Sequence, residues 1–196
     1  MIAATNSGVA FLMNAASFFG VIFFLYRWKR AEPEAPRTDR VLDSMRAGLR
    51  YVWATSLVHC VLIRTGAFSV AASALLALLP LIARNCEQGA TGYGLLLGSF
   101  GLGALAGAGL LPRLKSYYSV DRVVAAAILV FALMTFAAGR AHAFPWLAVI
   151  LFFSGAAWIG ILACLNVAAQ TMSPPWMRAR ALSMYLLILQ GGMALG

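Results

Sequence analysis

Charge is scarce in this sequence, and groups that do chemistry are scarcer. Only 11% of the 196 residues are charged, against about 25% in ordinary soluble domains. The six acidic residues, Glu32, Glu34, Asp39, Asp43, Glu87 and Asp121, all lie in polar segments or at the ends of apolar ones. No apolar run therefore holds a carboxylate to carry a proton through a membrane. Cys60, Cys86 and Cys164 are scattered without a CxxC pair, and His59 beside Cys60 is the sole His–Cys adjacency. Two adjacent residues do not make a metal site, so no metal and no cofactor is expected and the thiols read as packing groups. A HExxH helix, a phosphate-binding loop and a Ser/His/Asp set are lacking as well, which argues against an enzyme.

What the chain has in excess is apolar. Hydrophobic residues make up 62% of it, and a chain this short has too much surface per volume to bury that excess in water. The composition excludes a soluble globular domain, a disordered tail and a disulfide-framed secreted module. A membrane helix needs about 20 mainly apolar residues to cross roughly 30 Å of hydrocarbon. Walking from charge to charge gives runs at 1–26, 57–83, 89–112, 123–139, 143–177 and 181–196, interrupted only by Arg64. The last run is 16 residues and as a helix rises about 24 Å, short of the hydrocarbon thickness. The expectation is five full spans and part of a sixth, a piece of a longer polytopic protein. No basic stretch precedes the first run, so it does not read as a signal peptide.

A net charge of +9 suggests nucleic acid only until its distribution is read. Lys and Arg fall seven in 27–50, one at Arg84, three at Arg113, Lys115 and Arg122, one at Arg140, and two at Arg178 and Arg180. Alternate loops thus hold twelve against two, the asymmetry of the positive-inside rule. It puts the basic loops in the cytoplasm and residue 1 on the outer side. The partner expected is the lipid bilayer, with no nucleic acid.

The segment after the first run has its own composition. Glu32-Pro33-Glu34-Ala35-Pro36 reads as flexible or extended. Val41, Leu42, Met45, Leu49, Val52 and Trp53 then recur at helical spacing among Arg40, Asp43, Arg46 and Arg50. Two readings of this amphipathic helix stand: it lies along the cytoplasmic headgroups, or its stripe packs beneath neighbouring membrane helices.

Few residues inside the runs stand out. Gly101-Leu102-Gly103-Ala104-Leu105-Ala106 fits a dinucleotide fingerprint, but that motif needs a preceding strand and a soluble βαβ unit. Here it lies in an uncharged run of 24 residues. Gly94 with Gly98, and Gly103 with Gly107, put small residues four apart, which lets another helix backbone approach. A sliding interface is the functional version of that packing role. Arg64 is an intramembrane charge, costing roughly 2.5–3.5 kcal/mol at worst. Either it snorkels or pairs structurally, or it faces a polar cavity. Asn166 and Gln170 share a helix face, with Trp158 two turns earlier on roughly the same side. These polar groups either bond between helices or, with Arg64, line a cavity for amphipathic or aromatic solutes.

The order of features carries a resemblance. A run containing Phe11-Leu12-Met13-Asn14-Ala15-Ala16-Ser17-Phe18 meets a basic exit, and Met45-Arg46-Ala47-Gly48-Leu49-Arg50-Tyr51-Val52 follows. Then come Leu78-Leu79-Pro80-Leu81-Ile82-Ala83, Gly92-Tyr93-Gly94-Leu95-Leu96-Leu97-Gly98, Leu110-Leu111-Pro112-Arg113-Leu114 and Arg178-Ala179-Arg180-Ala181-Leu182-Ser183. Over essentially its whole length the sequence resembles the major facilitator superfamily. Within it, the likeness is to the bacterial exporters that include the enterobactin exporter, the transmembrane secretion effector branch. The resemblance implies an all-α polytopic membrane helix bundle, a partial major facilitator fold. It aligns 1–26 with helix six of twelve, 27–56 with the central cytoplasmic linker, and 57–196 with helices seven to eleven of an incomplete C-terminal half.

The implied function is secondary transport: export of small amphipathic molecules of the drug or siderophore class by alternating access, in the bacterial inner membrane. The implied partners are that small-molecule substrate and the missing N-terminal half of the transporter. The alternative is a non-transporting membrane anchor or assembly subunit. One departure stands out. Where the superfamily often has Gly-x-x-x-Asp-Arg between helices eight and nine, Gly109 is followed here by Leu110-Leu111-Pro112-Arg113, without the acidic residue.

Overall fold

The computed structural model describes residues 7–27, 50, 55–85, 89–141, 143–175 and 177–196. Among them every regular element is helical: α1 (Ser7–Arg27), α2 (Ser56–Asn85), α3 (Gly89–Tyr117), α4 (Val120–Arg140), α5 (Phe144–Thr171) and α6 (Arg178–Leu195). The all-α class follows from the solvent. Without water in the hydrocarbon, a spanning segment must satisfy its own N–H and C=O groups, and a helix does so. Among the described residues, α2 to α5 are long and apolar enough to cross a membrane, and Phe11–Arg27 is a shorter apolar helix. The helices α2 and α4 overrun their charge-free runs at both ends and α3 overruns its own at the C-terminal end, drawing Arg84, Arg113, Lys115, Arg122 and Arg140 into helices. Conversely α5 stops at Thr171, before the Pro174-Pro175 pair, where proline cannot continue the backbone ladder.

The chain divides into two compact units, Met1–Arg40 and Val41–Gly196. In the first, α1 is uncharged until Arg27, and the Ser17 hydroxyl donates to the Asn14 carbonyl at 2.7 Å. The amphipathic helix expected over 41–53 lies outside the described residues, apart from a helical Arg50.

The second unit contains the bundle α2 to α6, and its contacts fix the helix directions. Ser99 of α3 meets Ala148 of α5 at an offset of 49 residues. Gly103 against Phe152 and Gly107 against Ala156 keep that offset, so α3 and α5 run parallel. Gly192 against Ser69 and Gly196 against Ser73 make α2 and α6 parallel too. Between α4 and α5 the order reverses, with Gly160 facing Ala127 and Trp158 facing Phe131. The helices therefore alternate in direction, and α5 touches all four others. One end of the bundle collects Arg113, Lys115, Arg122, Arg178 and Arg180, while Arg84 and Arg140 lie at the other.

The fully buried serines and threonines are satisfied locally. Buried Thr65, Ser69, Ser73, Ser154 and Ser173 each donate to a carbonyl three or four residues back, at 2.7–3.0 Å. No buried side-chain N or O among the described residues lacks a partner. Back-bonding of this kind lets hydroxyls sit in an apolar interior without demanding a second helix.

Candidate functional site

The tightest contact in the bundle is made by residues without side chains. A Cβ added at Gly103 would lie 1.8 Å from the Phe152 carbonyl oxygen, and one at Gly107 2.6 Å from that of Ala156. The approach is reciprocal, since a Cβ on Gly155 would meet the Phe100 carbonyl oxygen at 1.9 Å. Such backbone proximity is the use small residues have between membrane helices, where dispersion and close packing replace the hydrophobic drive. The Ser99 hydroxyl donates across the same seam to the Ala148 carbonyl at 2.6 Å. Gly94 and Gly98 are different: a Cβ at either would meet nothing within 4 Å. Equal spacing in the sequence thus gives two contact positions and two open ones. Gly155 was not singled out from the sequence, although Ser154-Gly155-Ala156-Ala157 is a run of small residues within an apolar stretch.

Arg64 has a defined partner. Its Nη1 donates to Asp121 Oδ1 at 3.0 Å, tying α2 to the first turn of α4. Both side chains are open to the surroundings, at 53% and 86% exposure, so the pair forms at the bundle edge rather than in its interior. Structural pairing, one of the environments weighed from sequence, is seen, and Asp121 is its other half. The signal existed: Asp121 is the one acidic residue beyond Glu87, and it lies on the same basic side as the start of the run holding Arg64.

From this ion pair a groove of about 580 Å³ runs between α2 and α4. Arg64 stands at one end, and Thr135 and Phe136 lie toward the other. Its walls include Ala67, Ala71 and Ala132, whose short side chains leave the space. Phe68 and Phe131 close its inner side with an edge-to-face contact at 5.3 Å between ring centroids. Trp158 of α5 packs behind them, 5.4 Å from Phe68, 5.9 Å from Phe131 and 6.0 Å from Phe100. Offset and edge-on rings at these distances attract beyond their apolar burial. Trp158 thus joins α2, α3, α4 and α5 at one point, and neither this groove nor the one described below has it in its lining.

Asn166 and Gln170 do share a face, and they satisfy each other: Gln170 Nε2 donates to Asn166 Oδ1 at 2.5 Å. Both are half-buried. Neither is among the residues that line the groove at whose end Arg64 stands. Among the described residues no group of His, Cys, Asp and Glu is arranged to hold a metal ion. A second, apolar groove of about 470 Å³ lies between α3 and α4 over α5.

No curated protein and no solved structure is similar enough to serve as a relative. A family comparison does give a match: the model described as transmembrane secretion effector covers residues 1–196. Apolar helices of spanning length agree with a multi-pass membrane transporter. The chain belongs to the transmembrane secretion effector family of the major facilitator superfamily.

Proposed function

We propose that this chain is the helix-six-to-eleven portion of a secondary transporter that exports small amphipathic molecules, of the drug or siderophore class, by alternating access. The observation that carries the reading is the secretion-effector match over residues 1–196. The bundle gives it mechanical sense. With α5 touching every other helix and the α3–α5 seam in backbone contact, α2 to α6 move as one body. Rocking of one body against another around a central site is how such transporters expose substrate to alternate sides. In this reading residues 1–26 and the 27–56 linker lead into the bundle from a partner half. The basic end faces the cytoplasm of a bacterial cell and residue 1 lies outside.

The substrate would lie against this bundle, with Arg64, Trp158, Asn166 and Gln170 as the candidate lining. The Asn166–Gln170 pair offers amide donors and acceptors, Trp158 an aromatic edge, and Arg64 a cation whose carboxylate partner can yield it. The test expresses the complete reading frame in a bacterium stripped of its own efflux pumps. Accumulation of amphipathic dyes and of a catecholate siderophore is then followed. A several-fold drop in accumulation of at least one compound is expected, and Asn166→Ala with Gln170→Ala should weaken it at equal membrane abundance. Unchanged accumulation with the protein present in the membrane favours the anchor reading. Unchanged export by the double variant removes the amide pair from the substrate path.

A further inference from the structure

The groove between α3 and α4 has features that the transport reading does not use. Leu110 and Leu114 of α3 and Val123 and Val130 of α4 form its walls, with Phe153 and Ala157 of α5 as the floor. It stays open because Ala126 and Ala127 carry little into it. Both wall helices rest on α5 and scarcely touch each other, so the slot opens sideways along its length. From Arg122 to Val130 it runs about 12 Å at helical rise.

One end of this apolar slot is cationic. Arg122 and Tyr118 stand at the mouth, both exposed. The carboxylate next in sequence, Asp121, is held by Arg64, and among the described residues Arg122 has no carboxylate partner. The Ser119 side chain caps no backbone amide of α4, whose first turn carries Asp121. Arg113 and Lys115 add charge of the same sign at this end.

We propose that this slot holds one acyl chain of an anionic phospholipid, with Arg122 and the first turn of α4 receiving its phosphate. A free anion would use the mouth and none of the slot, and an apolar solute the slot and none of the mouth. A phospholipid uses both, and the slot opens sideways where acyl chains lie, with its mouth at the helix ends where headgroups lie.

The test titrates the purified protein in detergent with phosphatidylglycerol and with phosphatidylcholine of identical chains, counting retained lipid by native mass spectrometry. One phosphatidylglycerol should be retained about five-fold more readily than phosphatidylcholine, the factor one basic residue supplies at a membrane surface. Arg122→Gln should bring the two lipids level. Ala126→Trp, which fills the slot, should lower retention of both. Arg140→Gln, at the opposite end, should change neither. Glycerol phosphate, a headgroup without chains, should not displace the bound lipid. Equal retention of the two lipids by the unaltered protein, a preference that survives Arg122→Gln, or displacement by glycerol phosphate each overturns the proposal. None of these outcomes depends on whether the chain transports anything.

Discussion

Two pairs of parallel helices in this bundle have opposite characters. Along α3 and α5 the backbones approach until a methyl group at Gly103 would sit 1.8 Å from a carbonyl oxygen. Along α2 and α4 the helices are held apart around about 580 Å³ of space, joined at one end by Arg64 and Asp121 and along the inner side by Phe68 and Phe131. Both surfaces carry small residues, glycines in the seam and alanines in the groove. What separates them is what lies opposite: carbonyl groups fill the glycine gaps of the seam, whereas alanines face alanines across the groove and nothing fills the gap. Small side chains in a membrane helix therefore permit contact without producing it.

The contrast is breakable at chosen points. The largest effect belongs to Gly103→Leu, because the obstructing atoms are backbone and cannot rotate away. Overpacking costs about 1–3 kcal/mol where neighbours can adjust, and here they cannot, so loss of folded, monodisperse protein by size-exclusion chromatography is expected. Gly98→Leu, with open space around it, should stay within about 0.5 kcal/mol of the parent; equal damage from both would refute the seam. Next comes Phe68→Ala, which empties the buried contact between groove and core and should cost about 3–5 kcal/mol, read as a lowered thermal midpoint in detergent. A midpoint shifted by less than a degree would mean that Phe131 and Trp158 hold the groove wall without it. The smallest effect is the ion pair. With both partners more than half exposed, a double-mutant cycle on Arg64→Gln and Asp121→Asn should give a coupling of about 0.2–1 kcal/mol, shrinking as salt rises. A coupling several times larger would show the pair to be desolvated in the working protein.

How much of this was readable depends on the solvent. Helix positions followed from charge, since Arg27, Arg84, Arg140 and Arg178 sit in first or last turns, and a charge inside hydrocarbon is expensive. Which face of each helix turns inward did not follow. In water an apolar stripe marks the core, but in lipid the outer face is apolar as well. Leu105 and Leu187, each more than 70% exposed, are as hydrophobic as buried Leu147 and Leu151. That is why the spacing of Gly94, Gly98, Gly103 and Gly107 showed a packing surface without showing which half of it was used. It is also why the spacing of Trp158, Asn166 and Gln170 did not show that Trp158 packs among phenylalanines from three other helices. The Arg64–Asp121 pair spans 57 residues and needed the up-and-down topology to bring its ends together.

The constant offset between α3 and α5 also restricts how they can move. Their contacts fall at Ser99, Gly103 and Gly107, four residues apart, like teeth on a rack. A slip of one residue carries the Phe152 carbonyl from Gly103 to Leu102 or Ala104, where a Cβ blocks it. A slip of four residues, about 6 Å, seats Gly107 over Phe152 but brings Leu151 to the Phe100 carbonyl, where only Gly155 leaves room. The seam therefore has a single seat, and α3 and α5 travel together.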